Sequence, residues 1–346
     1  IDYKYSTGQL GRIVSPKLMA LQGSGQISFS QIENEFGQNG ERSLGDYRTS
    51  QSVGELSNLP LDSGIPTSGQ IKFSDFYSKR LNIVVDMHSG GDEFRKSAKG
   101  DKWNNNNLTV IGGFRSKKED GSKIIIHVNK KFGSDKSSVN NCAVRTGSWN
   151  SSSSIVVDVG GEGQILGAGG DGGQGGTCLG SGQPGGTGTS GLGIDHNGVT
   201  VNVLNGGIIR AGFGGGGGGG GGRQTDKGSD RRASGGGGGG GAGFPAGNGG
   251  QPGNGCANGS SGSSGNETTA GDGGGGGNNG NQAYGATGGE GGQFGEAANN
   301  GGNSQAGGGS GGGDGAAIRR VSGFSVTINK LSGSTVQGDE NATGVS

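Results

Sequence analysis

The sequence predicts a mostly β and irregular chain: a small β-domain followed by a glycine-rich domain of packed polyglycine II helices with variable loops. Three observations lead there. Ninety-one of 346 residues are glycine, and 69 of these fall between positions 160 and 315. Hydrophobic residues make up only 26% of the chain, too few for one conventional core throughout. The Ile, Val, Leu and Phe that could build such a core cluster in the first 160 residues.

Residues 1–80 carry an internal echo and form the first expected unit. Ser24-Gly25-Gln26-Ile27-Ser28-Phe29-Ser30-Gln31-Ile32 returns as Ser68-Gly69-Gln70-Ile71-Lys72-Phe73-Ser74-Asp75-Phe76. Both copies alternate apolar and polar residues before a Ser that can cap a short helix, Ser30 for 31–36 and Ser74 for 75–80. Pro60 and Pro66 mark turns between the copies. Two short motifs make a thin core, so this region is expected to lean on a partner. Residues 81–158 are read as a small β-sandwich. Segments 81–87, 108–111, 123–128, 142–145 and 155–159 are short and rich in Val and Ile, with polar turns between them.

The glycine-rich domain is placed at 159–317, and a closing strand and tail at 318–346. Apolar pieces at 164–166, 199–203, 208–209, 316–318 and 324–328 bracket the glycine runs 214–222 and 235–241 and can anchor them. Extended glycine segments can lie side by side as threefold left-handed helices, which have no internal hydrogen bonds. Every N–H and C=O then needs a partner on a neighbouring segment, and only glycine permits that approach. A nine-residue run would span roughly 28 Å. Glycine-rich β-structure is disfavoured, because glycine weakens strands and gives their faces nothing to pack.

Such a scaffold barely depends on side chains, so the joins between helices can vary freely. They carry the chemistry of this half: 223–227, 230–234, 256–270, 278–287 and 293–305. Loops on a rigid scaffold are a natural recognition device. The candidate contact residues are Arg223, Gln224, Asp226, Lys227, Asp230, Arg231, Arg232, Asn266, Glu267, Asn281, Tyr284 and Phe294. Tyr284 and Phe294 are read as aromatic anchors among small polar residues.

Other functional classes find little support. Lys plus Arg and Asp plus Glu are 28 each, and this zero net charge argues against a nucleic-acid partner. No apolar stretch approaches 18 residues, so no lipid-embedded segment is expected. The start has no basic stretch leading into an apolar core, and Ile1 in place of Met hints at a trimmed start. Cys142, Cys178 and Cys256 are odd in number and widely spaced, fitting neither a disulfide scaffold nor a zinc site. Assembly in a reducing cytoplasm is the simplest reading of them. His88, His127 and His196 stand alone, so no metal is expected. Glu162 and Asp171 read as turn residues, Gly167-Ala168-Gly169-Gly170 lacks the Lys of a phosphate loop, and no serine sits in a nucleophile elbow. No catalytic site and no cofactor are expected.

Motif order adds a resemblance. Gln164-Ile165-Leu166-Gly167-Ala168-Gly169-Gly170-Asp171-Gly172-Gly173-Gln174-Gly175-Gly176 resembles the first glycine-rich motif of T-even-type bacteriophage tail-fibre tip adhesins. Residues 199–210, followed by the 214–222 run, resemble their next block, and 316–328 their closing strand. The likeness covers roughly residues 155–330. It implies a sandwich of polyglycine helices whose variable distal loops bind an outer-membrane protein of the host bacterium, here through the joins given above. It also implies a place at the distal tip of a virion tail or tail fibre, with a phage tail or fibre protein held by the N-terminal part. Residues 21–37 and 63–77 depart from those adhesins and resemble a short motif of many phage virion and tail proteins. A virion spacer or cap without recognition remains the alternative; an ice-binding face and a surface-glycan enzyme fit less well.

Overall fold

The computed structural model describes residues 21–36, 43–48, 51–53, 56–59, 65–66, 68–79, 83–87, 94–96, 108–111, 123–136, 140–147, 149, 151–226, 229–280 and 283–345. The echo of the first region is a structural repeat. Helix α1 (Phe29–Phe36) opens with a reciprocal box: the Ser28 N–H donates to Gln31 Oε1 (2.7 Å) and the Gln31 N–H to Ser28 Oγ (3.2 Å). Ser28 is therefore the cap, two residues before the expected Ser30. In the second copy the Lys72 N–H donates to Asp75 Oδ2 (2.7 Å) and opens a 3-10 turn, Phe73–Phe76. Among the described residues 75–79, this turn stands in place of the helix expected over 75–80. A third box went unread in the sequence: the Ser43 N–H donates to Asp46 Oδ2 (2.8 Å) at the 3-10 turn Leu44–Arg48.

The apolar residue closing each box points inward, so Ile32, Tyr47 and Phe76 are fully buried together. Phe29 meets Tyr47 edge-on at 5.9 Å, and Tyr47 meets Phe76 at 6.0 Å. Gly25 and Gly69, at equivalent places before the boxes, both take left-handed φ values of +90° and +76°. Strands β1 (Gln51–Val53) and β2 (Leu56–Leu59) pair as an antiparallel hairpin.

The remaining strands coil into a parallel β-helix. In chain order they are β3 (Ile83–Met87), β4 (Phe94–Lys96), β5 (Leu108–Ile111), β6 (Lys123–Val128), β7 (Lys131–Ser134), β8 (Cys142–Arg145) and β9 (Ser154–Val159). There follow β10 (Gln164–Leu166), β11 (Ser190–Ile194), β12 (Val199–Val203) and β13 (Ile208–Arg210). Beyond the hairpin strands β14 (Gly222–Asp226) and β15 (Ser229–Ala233) come β16 (Ile318–Arg320), β17 (Val326–Lys330), β18 (Thr335–Gln337) and β19 (Ala342–Thr343).

Three sheets result, ordered β17-β12-β9-β6-β3-β5, β18-β13-β10-β7-β4 and β19-β16-β11-β8. All their pairs are parallel except β3 with β5. From β6 onward each circuit of the chain thus lays one strand on each sheet, as β9, β10 and β11 do. Alternate residues point inward and stack from circuit to circuit: Ile126, Val157, Val201 and Ile328 in one ladder, and Phe132, Ile165, Ile209 and Val336 in another. Parallel strands normally need long crossovers. Here tight corners replace them, with Gly206 (φ +82°) and Gly333 (φ +83°) turning successive circuits at the same edge.

This corrects the expected layout. The 81–158 strands are no separate β-sandwich, because β9 pairs on both sides, with β6 and β12. The strands after 317 are the third side of the fourth circuit and the whole of the fifth. The glycine-rich part interrupts the β-helix, leaving it twice between the second and third strands of a circuit, at 167–189 and at 211–317.

In those excursions the chain runs out and back in ten segments: 167–177, 180–189, 211–222, 233–243, 246–254, 257–266, 270–278, 284–292, 297–303 and 305–315. Their hydrogen bonds recur every third residue. Gly215, Gly216 and Gly217 donate to Gly186, Gly239 and Asn299, on three different segments; Gly218, Gly219 and Gly220 donate to the same three at Gln183, Gly236 and Gly302. Segment 211–222 also accepts from three others, through Gly173, Gly289 and Gly309. Segment 233–243 is likewise enclosed, donating to Gly173, Gly289 and Ser263 and accepting from Gly216, Gly250 and Gly274.

Enclosure explains the composition. Every residue of 211–222 and 233–243 is buried, and along the glycine runs a Cβ has no space. One on Gly217 would lie 2.0 Å from the Gly309 carbonyl oxygen, and one on Gly238 2.0 Å from that of Gly216. The unbroken glycine runs are the two surrounded segments. Segments with an open side mix covered glycines with polar residues, as in Gly169-Gly170-Asp171-Gly172-Gly173-Gln174 and Gly259-Ser260-Ser261-Gly262-Ser263-Ser264, and a few of their glycines, such as Gly275, Gly307 and Gly313, are exposed with room for a Cβ.

Candidate functional site

Because the ten segments alternate in direction, their joins fall at two ends. Turns 243–247, 266–270 and 293–297 lie beside the β-helix; turns 177–180, 254–258, 278–284, 303–306 and the β14–β15 hairpin lie at the far end. Bonds among the far-end turns fix this grouping. Gly221 donates to Gly180, Ser234 to Ala257, Ala306 to Gly221, and the Ser304 hydroxyl to the Tyr284 carbonyl (2.7 Å). A disulfide between Cys178 and Cys256 joins two of the turns.

That bond overturns the expectation of three unpaired thiols, and with it the support cysteine usage gave to a reducing compartment. The two cysteines are 78 residues apart in sequence, but segments 167–177 and 246–254 run side by side, as the Gly175-to-Gln251 bond shows. Cys142 is buried and lies outside the disulfide.

The hairpin carries most of the candidate residues. Arg223 stands opposite Arg232, Gln224 opposite Arg231, and Thr225 opposite Asp230. Like charges directly opposite repel, and Asp230 sits between them: Arg223 Nε donates to its Oδ1 (2.8 Å), Arg232 Nε and Nη2 to its Oδ2 (3.0 and 2.6 Å). The bonds from Arg232, then those from Arg223, hold the Asp230 carboxyl below the usual carboxylate range, and Asp230 raises the Arg232 guanidinium in turn. Arg231, on the other face, donates through Nη1 to the Asn279 carbonyl (3.0 Å), while Asn279 Nδ2 donates to the Arg232 carbonyl (3.1 Å). The hairpin and the 278–284 turn are thereby clasped together. Tyr284 and Leu179 stand out from this end, 51% and 42% exposed.

The other candidates divide. Asp226 pairs Ser229 through the backbone at the hairpin tip; Lys227 and Asn281 lie outside the described residues. Asn266, Glu267 and Phe294 are at the near end. Glu267 accepts from Lys131 on β7 (2.8 Å) and lies 3.8 Å from Arg210 on β13, whose desolvated guanidinium is lowered from its ordinary range. Asn266 closes its own turn, its Oδ1 accepting from the Thr268 and Thr269 N–H groups (both 2.8 Å). Phe294 is 54% exposed, in a turn closed by reciprocal Gln293 and Glu296 backbone bonds. Loop composition could not separate the two ends, because both are polar joins between glycine segments. The 177–180 turn, with Leu179, was missed; its only signal was Cys178.

Among the described residues, no group of three or more His, Cys, Asp or Glu converges as a metal site would, and no helix is long and apolar enough to cross a membrane.

Comparison with known proteins gives one family and one solved structure. The family of phage tail fibre adhesin Gp38 matches residues 96–342. The crystal structure of the gp37–gp38 adhesin tip complex of the bacteriophage S16 long tail fibre is similar at a TM-score of 0.40 and 20% identity, over 80% of this chain and 90% of that one. No curated protein matches the chain.

Proposed function

The chain belongs to the phage tail fibre adhesin Gp38 family, and from that premise we propose that its far end recognises an outer-membrane protein on the host bacterium. The observation that carries the reading is the separation of scaffold from surface. The segments are held by backbone bonds that recur every third residue, so the five far-end turns can change sequence without disturbing what supports them. We read the segments as polyglycine II helices, a form that has three residues per turn and directs every backbone group outward. Rigid turns rich in Asn, Ser and Arg, with an exposed Tyr, suit polar recognition at low ordering cost. The role is binding, and no side chain is assigned to catalysis.

On this reading the chain is assembled in the host cytoplasm and carried at the distal tip of the fibre, held to a fibre protein through its N-terminal part. The Cys178–Cys256 bond then closes once the particle is outside the cell, where disulfides persist.

The test compares two loop exchanges in the full chain carried on virions. Gly/Ser replacement across 223–232 and 278–284 is expected to abolish adsorption to host cells and binding to their outer membranes. The same replacement across 293–296 is expected to leave both intact. Equal adsorption by all three forms would support the spacer reading instead.

A further inference from the structure

The charge of the far end is confined to one turn. The hairpin, 222–233, holds four basic residues (Arg223, Lys227, Arg231, Arg232) against two acidic ones (Asp226, Asp230), whereas 177–180, 254–258, 278–284 and 303–306 hold none. In a chain whose net charge is zero, this is a local positive spot on a neutral polar face.

Its arrangement is costly for a purely structural hairpin. Arg223 and Arg232 are directly opposed in the register and share the single Asp230 carboxylate. Two guanidinium groups on one carboxylate leave an unbalanced positive charge, and all three side chains are partly open to solvent. Within the described contacts Arg223 engages Asp230 only through Nε, so the Nη edge of its planar fork remains for a second anion. Asp230 holds both forks in place before any ligand arrives, which removes their ordering cost.

We propose that the Arg223–Asp230–Arg232 triad is the charge-reading element of the adhesin and that it takes a carboxylate of an acidic side chain on the receptor polypeptide. The inference rests on the receptor-binding reading above. A polypeptide fits better than a phosphate-bearing lipid surface, since a polyanionic layer would be met by basic residues spread over the whole face. Here the other four turns offer amides, hydroxyls, Leu179 and Tyr284, the complement of a mostly neutral protein surface with one acidic point. Exposed charges of this kind act mainly on association and fade with salt.

The experiment measures adsorption rates of virions carrying the full chain, at low and physiological salt. The host cells are untreated, amidated on their carboxylates by carbodiimide, or enzymatically stripped of accessible phosphate. Wild type is expected to lose about tenfold in rate on amidated cells and nothing on dephosphorylated ones. Arg223→Gln with Arg232→Gln should lose a similar factor on untreated cells, show no further loss on amidated cells and no longer respond to salt. Restoring charge with Lys at both positions should bring back the salt response. Asp230→Asn, which frees positive charge, should adsorb faster at low salt, and it tests the idea even where the double variant fails to fold. Unchanged adsorption and salt response in the Gln variant, no acceleration in Asp230→Asn, or a loss confined to dephosphorylated cells would each overturn the proposal. Such a failure would still leave intact the adsorption defect of the wholesale 223–232 and 278–284 exchange, so it is distinguishable from failure of the adhesin reading itself.

Discussion

The β-helix and the glycine lattice are parts of one continuous chain, yet opposite rules hold them together. The β-helix is built from side chains: ladders of Ile, Val, Leu and Phe fill its interior, with Ile126, Val157, Val201, Ile165 and Ile209 fully buried. The lattice is built from their absence. Along the runs 214–222 and 235–241 its two inner segments have no side chains to pack, and backbone groups find their partners on other segments. Apolar burial supplies the first region's stability; backbone hydrogen bonds, at about 0.5–1.5 kcal/mol each, supply the second's. Rigidity can therefore be reached with almost no hydrophobic core, provided the ends are tied to one.

The largest effect expected from this contrast is at Gly217. Gly217→Ala puts a methyl group 2.0 Å from the Gly309 carbonyl oxygen. Overpacking against backbone together with interrupted bonds should cost more than about 5 kcal/mol, enough to lose the folded lattice. Gln174→Ala, on an open side of an outer segment, should change stability by less than about 0.5 kcal/mol. Thermal unfolding of the pair separates a lattice from a loose coil, in which both would be harmless.

Ile165→Ala inverts the rule, because removing side-chain volume is what harms the β-helix. Ile165 lies between Phe132 and Ile209 in its ladder, and its loss should cost about 2–5 kcal/mol, seen in denaturant unfolding. Cys178→Ser with Cys256→Ser should cost about 2–4 kcal/mol, with protease susceptibility rising first at 177–180 and 254–258. Added reductant should reproduce the effect in the wild type and do nothing to the double variant.

Glu267→Ala probes the joint between the two regions. It leaves Arg210 and Lys131 without their shared carboxylate and should cost about 1–2 kcal/mol without slowing adsorption. An adsorption defect in a fully folded Glu267→Ala protein would mean that the near end also touches the receptor. The smallest effect concerns pH. Asp230 is held below its ordinary range by Arg232 and Arg223, so its contribution is present above the usual Asp range and lost only as pH falls through the depressed value. Hairpin amide signals followed by NMR should stay unchanged across mildly acidic pH and shift below the ordinary carboxylate range; with Asp230→Asn that shift should vanish.

Much of this molecule was legible from its residues. The Val- and Ile-rich strands appear where their composition places them, because the preference of β-branched residues for extended backbone is a local property of the chain. The echo around Ile27–Phe29 and Ile71–Phe73 marked a true repeat, although the cap fell at Ser28, where Gln31 three residues on can reciprocate. The glycine runs marked the enclosed segments, since glycine is required wherever a neighbour covers the Cβ direction. Phage adhesin character followed from the order of the glycine motifs, and the family match over residues 96–342 agrees.

What the sequence could not supply is which joins share an end. A glycine run carries no register, so nothing local distinguishes the turn at Glu267, which ties down to Lys131, from the hairpin at Arg223, which faces outward. Nor could spacing reveal that Cys178 and Cys256 meet, or that strands beyond residue 317 complete a coil begun before residue 90. Those relations are made by partners far apart in the chain, and only the folded arrangement of parallel sheets and hydrogen-bonded segments brings them together.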